Sequence, residues 1–370
     1  MIPRSRAVLG FAILTSFAAG AAIAGVSSTS EDHLISSSPP LRSWGSLPAA
    51  TSGSESTAAV GRIRTIPTFQ DTFAYGDQTY TYAMVGTNPR LSTRRTVVPA
   101  VIVPLRFVFA DGERFDPATT TRQMRRSPIF RRSGFASGTT QYGDAIQRAE
   151  FWTFTQATRY HVLLGHPSVA ATQVINVPSG EGMTRTSTLG GRVGLVAESF
   201  FLDQVVPAVV NHLRIPPTKL LILWSYDIAL RPPPGHTGTI LGEHSAGTDQ
   251  THTRTWTFVF ASWNTPDVVP EEDTDVAVLS HEIAEWYNDP FVANAVPAWE
   301  APPSYPCNAV LEVGDPLVGT TFVQDGYHLQ DEAFLSWFAR QVPSMGIDGR
   351  YSFLGALTAP PPVCTVAPSP

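Results

Sequence analysis

The stretch Val276-Ala277-Val278-Leu279-Ser280-His281-Glu282-Ile283-Ala284-Glu285-Trp286-Tyr287-Asn288-Asp289-Pro290 decides how the rest of the chain is read. Its apolar residues predict a helix over about Val276 to Asn288, and Asp289-Pro290 ends it, because proline disfavours helical backbone in the residue before it. Asp273, Thr274 and Asp275 precede the helix, where caps and negative charge suit free N–H groups and the dipole. Three ionisable residues sit in an otherwise apolar helix. Buried charges are costly unless they are paired or bound to a metal. The alternative is a surface helix with solvated carboxylates, which the flanking apolar residues oppose.

Residues four apart share a helix face, so the imidazole of His281 and the carboxylate of Glu285 can bind one ion together. Zinc accepts both donor types, and catalytic zinc sites take three protein ligands and leave a position for water. Glu282 lies about 100° around the helix from His281, where it can act as general base toward that water. The common signature is H-E-x-x-H; here the second histidine is replaced by Glu285, which makes the site more anionic and admits manganese or calcium beside zinc. A third ligand is expected downstream. The segment Cys307 to Pro316, which carries Glu312 and Asp315, is the first candidate. Asp289, eight residues after His281 on the same face, and His328 are alternatives, and His328 could also stabilise an oxyanion. His244 could line a cleft, whereas His161 and His166 read as structural. Tyr287, Tyr305 and Tyr327 are candidate oxyanion hydroxyls, with nothing to choose among them.

Working outward, Thr255 to Trp263 alternates with period two, as a half-buried strand does. Leu220 to Tyr226, His161 to Leu164, Thr172 to Val177 and Thr79 to Met84 are further strand candidates. Val97 to Phe109 is β-branched and aromatic, with Pro99 and Pro104 predicting bends or edge strands. Helices are expected around Thr139 to Trp152, over Ala197 to Leu213, and over Gln330 to Arg340 with Phe334, Leu335, Trp337 and Phe338 inward. Gly190-Gly191 reads as a turn, since it carries no phosphate-loop lysine. The pattern is α+β with a β-rich N-terminal part and no repeats.

Of the 370 residues, 43 % are hydrophobic and 15 % charged, which allows a sizeable core. The formal net charge of −6 and the single lysine, Lys219, leave no concentrated basic face, so nucleic acid is excluded as a partner. Arg4 and Arg6, the apolar run Ala7 to Ala21 and the Ala22-Ile23-Ala24 site read as a signal peptide over 1–24. The expected organisation is then a flexible leader over 25–65, one domain over 66–360, and a Pro-rich tail over 361–370. A secreted or periplasmic location follows, with no membrane association after cleavage. Cys307 and Cys364 are the only cysteines, and in an exported protein such a pair most often forms a disulfide. Cys307 as a metal ligand is the alternative.

Leu279 to Phe291, Pro297-Ala298-Trp299 and Glu312-Val313-Gly314-Asp315 together resemble a group of exported bacterial proteins with zincin-like H-E-x-x-E helices ending in Asp-Pro. Gly138 to Arg148 is similar to the same group. More distantly, the helix and the Glu-Val-Gly-Asp segment resemble the plant phosphate-induced, EXORDIUM-like secreted proteins. The strong part covers roughly Thr255 to Arg340. The resemblance implies a zincin-like metallopeptidase core, with a mixed sheet whose edge strand lies along a cleft for a peptide or protein substrate. It also implies Glu312 as third zinc ligand, and Asp315 as the group that holds His281 through its free N–H.

Overall fold

The computed structural model describes residues 63–233, 238–249, 251–300 and 307–364. The expected signal peptide, nearly all of the leader, Tyr305 and the last six residues lie outside the described residues. The molecule is mixed α+β, 21 % helical and 38 % strand, so sheets dominate its framework. Among the described residues, no helix is long and apolar enough to cross a membrane.

The main sheet runs in the order Gln173–Val177, Ala100–Phe109, Leu220–Tyr226, Thr255–Trp263, Gly242–Thr248. The first four strands are mutually parallel, and Gly242–Thr248 returns antiparallel along Thr255–Trp263 as the last strand. Its register pairs His244 with Val259 and Glu243 with Phe260.

Successive side chains of a strand point to opposite faces, and the core divides accordingly. Leu221, Leu223, Trp256, Phe258 and Phe260 pack with Phe201, Val205 and Val209 of the helical run 198–212. Ile222, Trp224, Val259 and Ala261 pack on the other face with Tyr142, Ile146, Leu279 and Ile283, from the helices Tyr142–Glu150 and Ala277–Asn288. Thr255–Trp263 is therefore buried along almost its whole length rather than half-buried. Helices on both faces of a largely parallel sheet make such runs the rule.

Leu220–Tyr226, Thr255–Trp263 and His161–Leu164 occupy the predicted ranges. Pro99 separates two strands as expected, but Pro104 lies inside an interior strand rather than at an edge. The register supplies the reason. Pro104 is the last residue paired with Leu220–Tyr226, and pairing with Gln173–Val177 begins at Leu105, so the missing N–H falls where the strand changes partner. The expected helix over Gln330 to Arg340 contracts to one turn, Leu335–Phe338, with Tyr327–Gln330 a strand. Its four aromatic and aliphatic residues are buried all the same. Backbone pairing also starts inside the stretch read as leader, where Arg64 donates to Thr253 O and accepts from Thr255 N.

Candidate metal centre

Every residue of the helix Ala277–Asn288 is buried. Apolar packing supplies most of its environment, and polar tethers fix its rotation. Trp286 Nε1 donates to Thr257 Oγ1 at 2.9 Å, Gln147 Nε2 to Asn288 Oδ1 at 3.1 Å, and Gln330 N to Ser280 Oγ at 2.9 Å. The expected acidic cap does not form. Glu271–Asp273 makes its own 3-10 turn, and Val276, the residue before the helix, offers no side-chain cap. Asp275 accepts from the N–H groups of Val276 and His328, and lies 2.7 Å from His328 Nδ1. It ties the hairpin Thr321–Gln330 to the helix start.

Two candidate ligands are thereby placed elsewhere. His328 is engaged by Asp275 and Thr274. Asp289 accepts from Ala293 N at 3.0 Å and Asn294 N at 2.8 Å, closing the turn after the helix; burial pushes its carboxyl up to about 6 against these bonds. Tyr287 donates to Val162 O and Tyr327 to Gln123 O, so both hydroxyls are committed away from the motif. His161 bonds Asp144 at 2.7 Å and His166 lies 3.2 Å from Arg125, in keeping with structural roles. Cys307 is disulfide-bonded to Cys364, which removes it as a ligand.

The remaining candidates converge. His281 Nε2 lies 3.1 Å from Glu285 Oε2 and 3.8 Å from Asp315 Oδ1. His244, from the antiparallel last strand, brings Nδ1 to 3.2 Å from the same Glu285 oxygen and 3.4 Å from Glu282 Oε2. Its Nε2 lies 3.8 Å from Glu312 Oε2. His281, Glu282, Glu285 and Glu312 are fully buried and His244 is 3 % exposed, so water does not screen these charges. Two triads have ligating atoms within 4.8 Å of one another: His244, Glu285 and Glu312, and His281, Glu282 and Glu285. Buried His and Glu groups that can hold a metal ion are therefore present.

His281 is oriented by Gln330 rather than by Asp315. Gln330 Oε1 lies 3.2 Å from His281 Nδ1, while its Nε2 donates to Gly314 O at 2.7 Å. With that amide orientation Nδ1 carries the proton, and Nε2 faces Glu285 and Asp315. Gly314 also donates its N–H to Glu285 Oε1 at 3.2 Å. A Cβ on Gly314 would collide with the His281 ring, so glycine lets the Glu312 loop close over it. Gly242 does the same from the sheet, where a Cβ would stand 2.5 Å from Glu282 Oε1. Tyr142 braces the far side through hydrogen bonds to Gln330 O at 2.6 Å and Glu332 Oε1 at 2.8 Å.

A divalent cation fits this donor set. Both nitrogens of His244, Nε2 of His281, both oxygens of Glu282 and Glu312, and Oε2 of Glu285 are buried without a well-directed hydrogen bond. The polar contacts of the imidazole nitrogens and of the Oε2 atoms are with one another and with Asp315. Native interiors rarely tolerate so many unsatisfied groups together. Without a cation, protons carry the compensation. Burial opposes the charged imidazoles, but the surrounding carboxylates hold both histidines well above their usual range. Burial raises Glu282 and Glu312, whereas the two imidazoliums outweigh burial at Glu285 and pull it down to about 2. A bound cation would take over from the imidazolium protons, and its binding would release them.

No family model, curated protein or solved structure matches the chain. Sequence spacing and resemblance point to His281, Glu282, Glu285 and Glu312, whereas His244 carries only a weak signal there and Gln330 none. The Gly242–His244 spacing, which puts both residues on one strand face, was the available signal for His244.

Proposed function

We propose that the chain is a secreted or periplasmic metal-dependent peptidase with a zincin-like core, kin to the exported H-E-x-x-E proteins it resembles. The observation that carries this reading is the convergence of buried imidazole and carboxylate atoms, without well-directed hydrogen bonds, on a helix lying against an antiparallel edge strand. Glu285 would hold the ion, with His281 from its own helix or with His244 and Glu312 from the strand and loop facing it, and zinc is the metal this mixed donor set suits best. A bound ion would supply Lewis-acid polarisation of a carbonyl and acidify a water. Glu282 would serve as the group that takes up a proton from the attacking water and hands it to the leaving amine. Among the described residues Gly242–Thr248 pairs with one strand only, so a peptide or protein substrate would extend the sheet along its outer edge.

The complete burial of the ligands favours a second reading, a non-catalytic extracellular or wall-associated protein whose metal is structural, since closed sites are typical of structural metals. Metal analysis of the purified chain, with Glu282→Gln beside it, separates the two. Under the peptidase reading the wild type hydrolyses casein or a peptide library, and the variant retains metal while losing that hydrolysis. A metal-loaded wild type that cleaves no peptide leaves only the structural site. A chain that binds no metal removes both.

A further inference from the structure

We infer that the centre is dinuclear, taking two divalent cations bridged by Glu285. This rests on the metal-binding part of the reading above and specifies what that site holds. The two triads share only Glu285. A single oxygen of that residue, Oε2, is approached by an imidazole nitrogen of the motif helix at 3.1 Å and by one of the last sheet strand at 3.2 Å.

One ion cannot satisfy the cluster. Held by His244, Glu285 and Glu312, it would leave Glu282 uncoordinated and His281 Nε2 facing only Glu285 and Asp315. Held by His281, Glu282 and Glu285, it would leave Glu312 uncoordinated, with His244 Nε2 3.8 Å away. Either arrangement leaves a carboxylate and an imidazole uncoordinated and out of water, an unfavourable state for charged groups. Two ions assign one histidine and one unshared carboxylate to each.

Formal charge agrees. Glu282, Glu285 and Glu312 carry three negative charges in the ligand state, with Asp315 3.8 Å from His281 Nε2 and the buried Glu243 and Glu332 close by. With neutral imidazoles, one divalent ion would leave the buried site net negative, and a second offsets more of that charge. Glu282 has two oxygens to offer, so one can hold an ion while the other accepts a proton.

The test uses the full chain stripped with a chelator, titrated with zinc and analysed by mass spectrometry. Manganese loading followed by electron paramagnetic resonance runs alongside. The expected result is two zinc ions per chain and an exchange-coupled manganese spectrum. Glu282→Gln and Glu312→Gln should each fall to one ion, with the coupling lost. The wild-type stoichiometry and spectrum need no variant to fold. One zinc per chain with an uncoupled manganese signal overturns the dinuclear centre and leaves the single-ion reading standing. Two ions without coupling overturn it as well, since the second then lies elsewhere. No bound metal removes the underlying reading too.

Discussion

Gln330 sets its Oε1 3.2 Å from Nδ1 of His281, and that contact turns the ring's Nε2 toward Glu285 and Asp315. The amide is fixed in turn by its bond to Gly314 O. Replacing Gln330 with Leu keeps the bulk and removes the acceptor. Metal affinity should fall roughly 10–100-fold, the usual effect of losing a group that orients a ligating histidine. Gln330→Glu, which restores an acceptor, should recover part of it. Competition titration against a zinc chelator measures both, and equal affinities for Leu and wild type would remove Gln330 from this role.

Gly314→Ala places a methyl group against the His281 ring. The loop and the ring must separate, at about 1–3 kcal/mol by analogy with other overpacked interiors. The expected signature is a lower denaturation midpoint together with weaker metal binding. Gly319→Ala is not a fair control, because its φ of 75° brings strain of its own. Gly134→Ala, with nothing within 4 Å of the added Cβ, is the better comparison and should leave metal binding unchanged.

How much of this was legible in the sequence depends on how local each signal was. The motif helix, Leu220–Tyr226 and Thr255–Trp263 announce themselves through apolar runs and nearby breakers, and their bounds came out close to the expected ones. The region after Gln330 misled because an aromatic stripe suits a helix and an irregular buried segment equally well. There Ala333 bridges Ser352, and Phe334 has extended backbone angles. His244 stays half-hidden although its strand Gly242–Thr248 is a sequence neighbour of Thr255–Trp263, joined to it as an antiparallel hairpin. What no local window shows is that this strand lies against the helix Ala277–Asn288 and the Glu312 loop, which brings His244 to Glu282, Glu285 and Glu312.

Glu150 gives a pH prediction independent of the metal. Burial pushes its carboxyl up to about 8 from 4.5, although a backbone bond from Leu335 N works against the shift. The folded state therefore holds the proton more tightly than the unfolded chain. Its contribution to stability is complete below about pH 4.5 and is lost as pH rises toward 8, with a slope of up to about 1.4 kcal/mol per pH unit. Glu150→Gln should gain on the wild type steadily across that window. Urea denaturation at both ends of the window checks this, and an identical difference at each end would contradict it.

Metal should stabilise the folded chain by mass action. With free zinc at about a thousandfold over the dissociation constant, the gain is about 4 kcal/mol for each site. Thermal denaturation should shift upward with zinc concentration in the wild type. In His244→Ala and His281→Ala, which remove one ligand from each triad, the shift should shrink. A midpoint insensitive to zinc in the wild type would contradict the prediction.

Cys364→Ser should lower stability by about 2–4 kcal/mol, since the disulfide closes a loop of this size in the unfolded chain; the two cysteines are 57 residues apart. Metal binding should survive, because the disulfide joins the tail to the segment ahead of Glu312 without entering the cluster. Denaturation with and without reductant reads the effect directly.

The disulfide has a mechanical consequence. Cys307 falls within the interval from His244 to Gln330 that the centre draws together, while Cys364 falls beyond it, so the two closures interleave along the chain. Force applied to the C-terminus passes through the sulfur link to Cys307, so residues 308–363, with Glu312 and Gln330, lie in a covalent loop that the pull bypasses. A processive unfoldase working from that end would have to draw in this closed loop as two strands at once, rather than peel it away residue by residue.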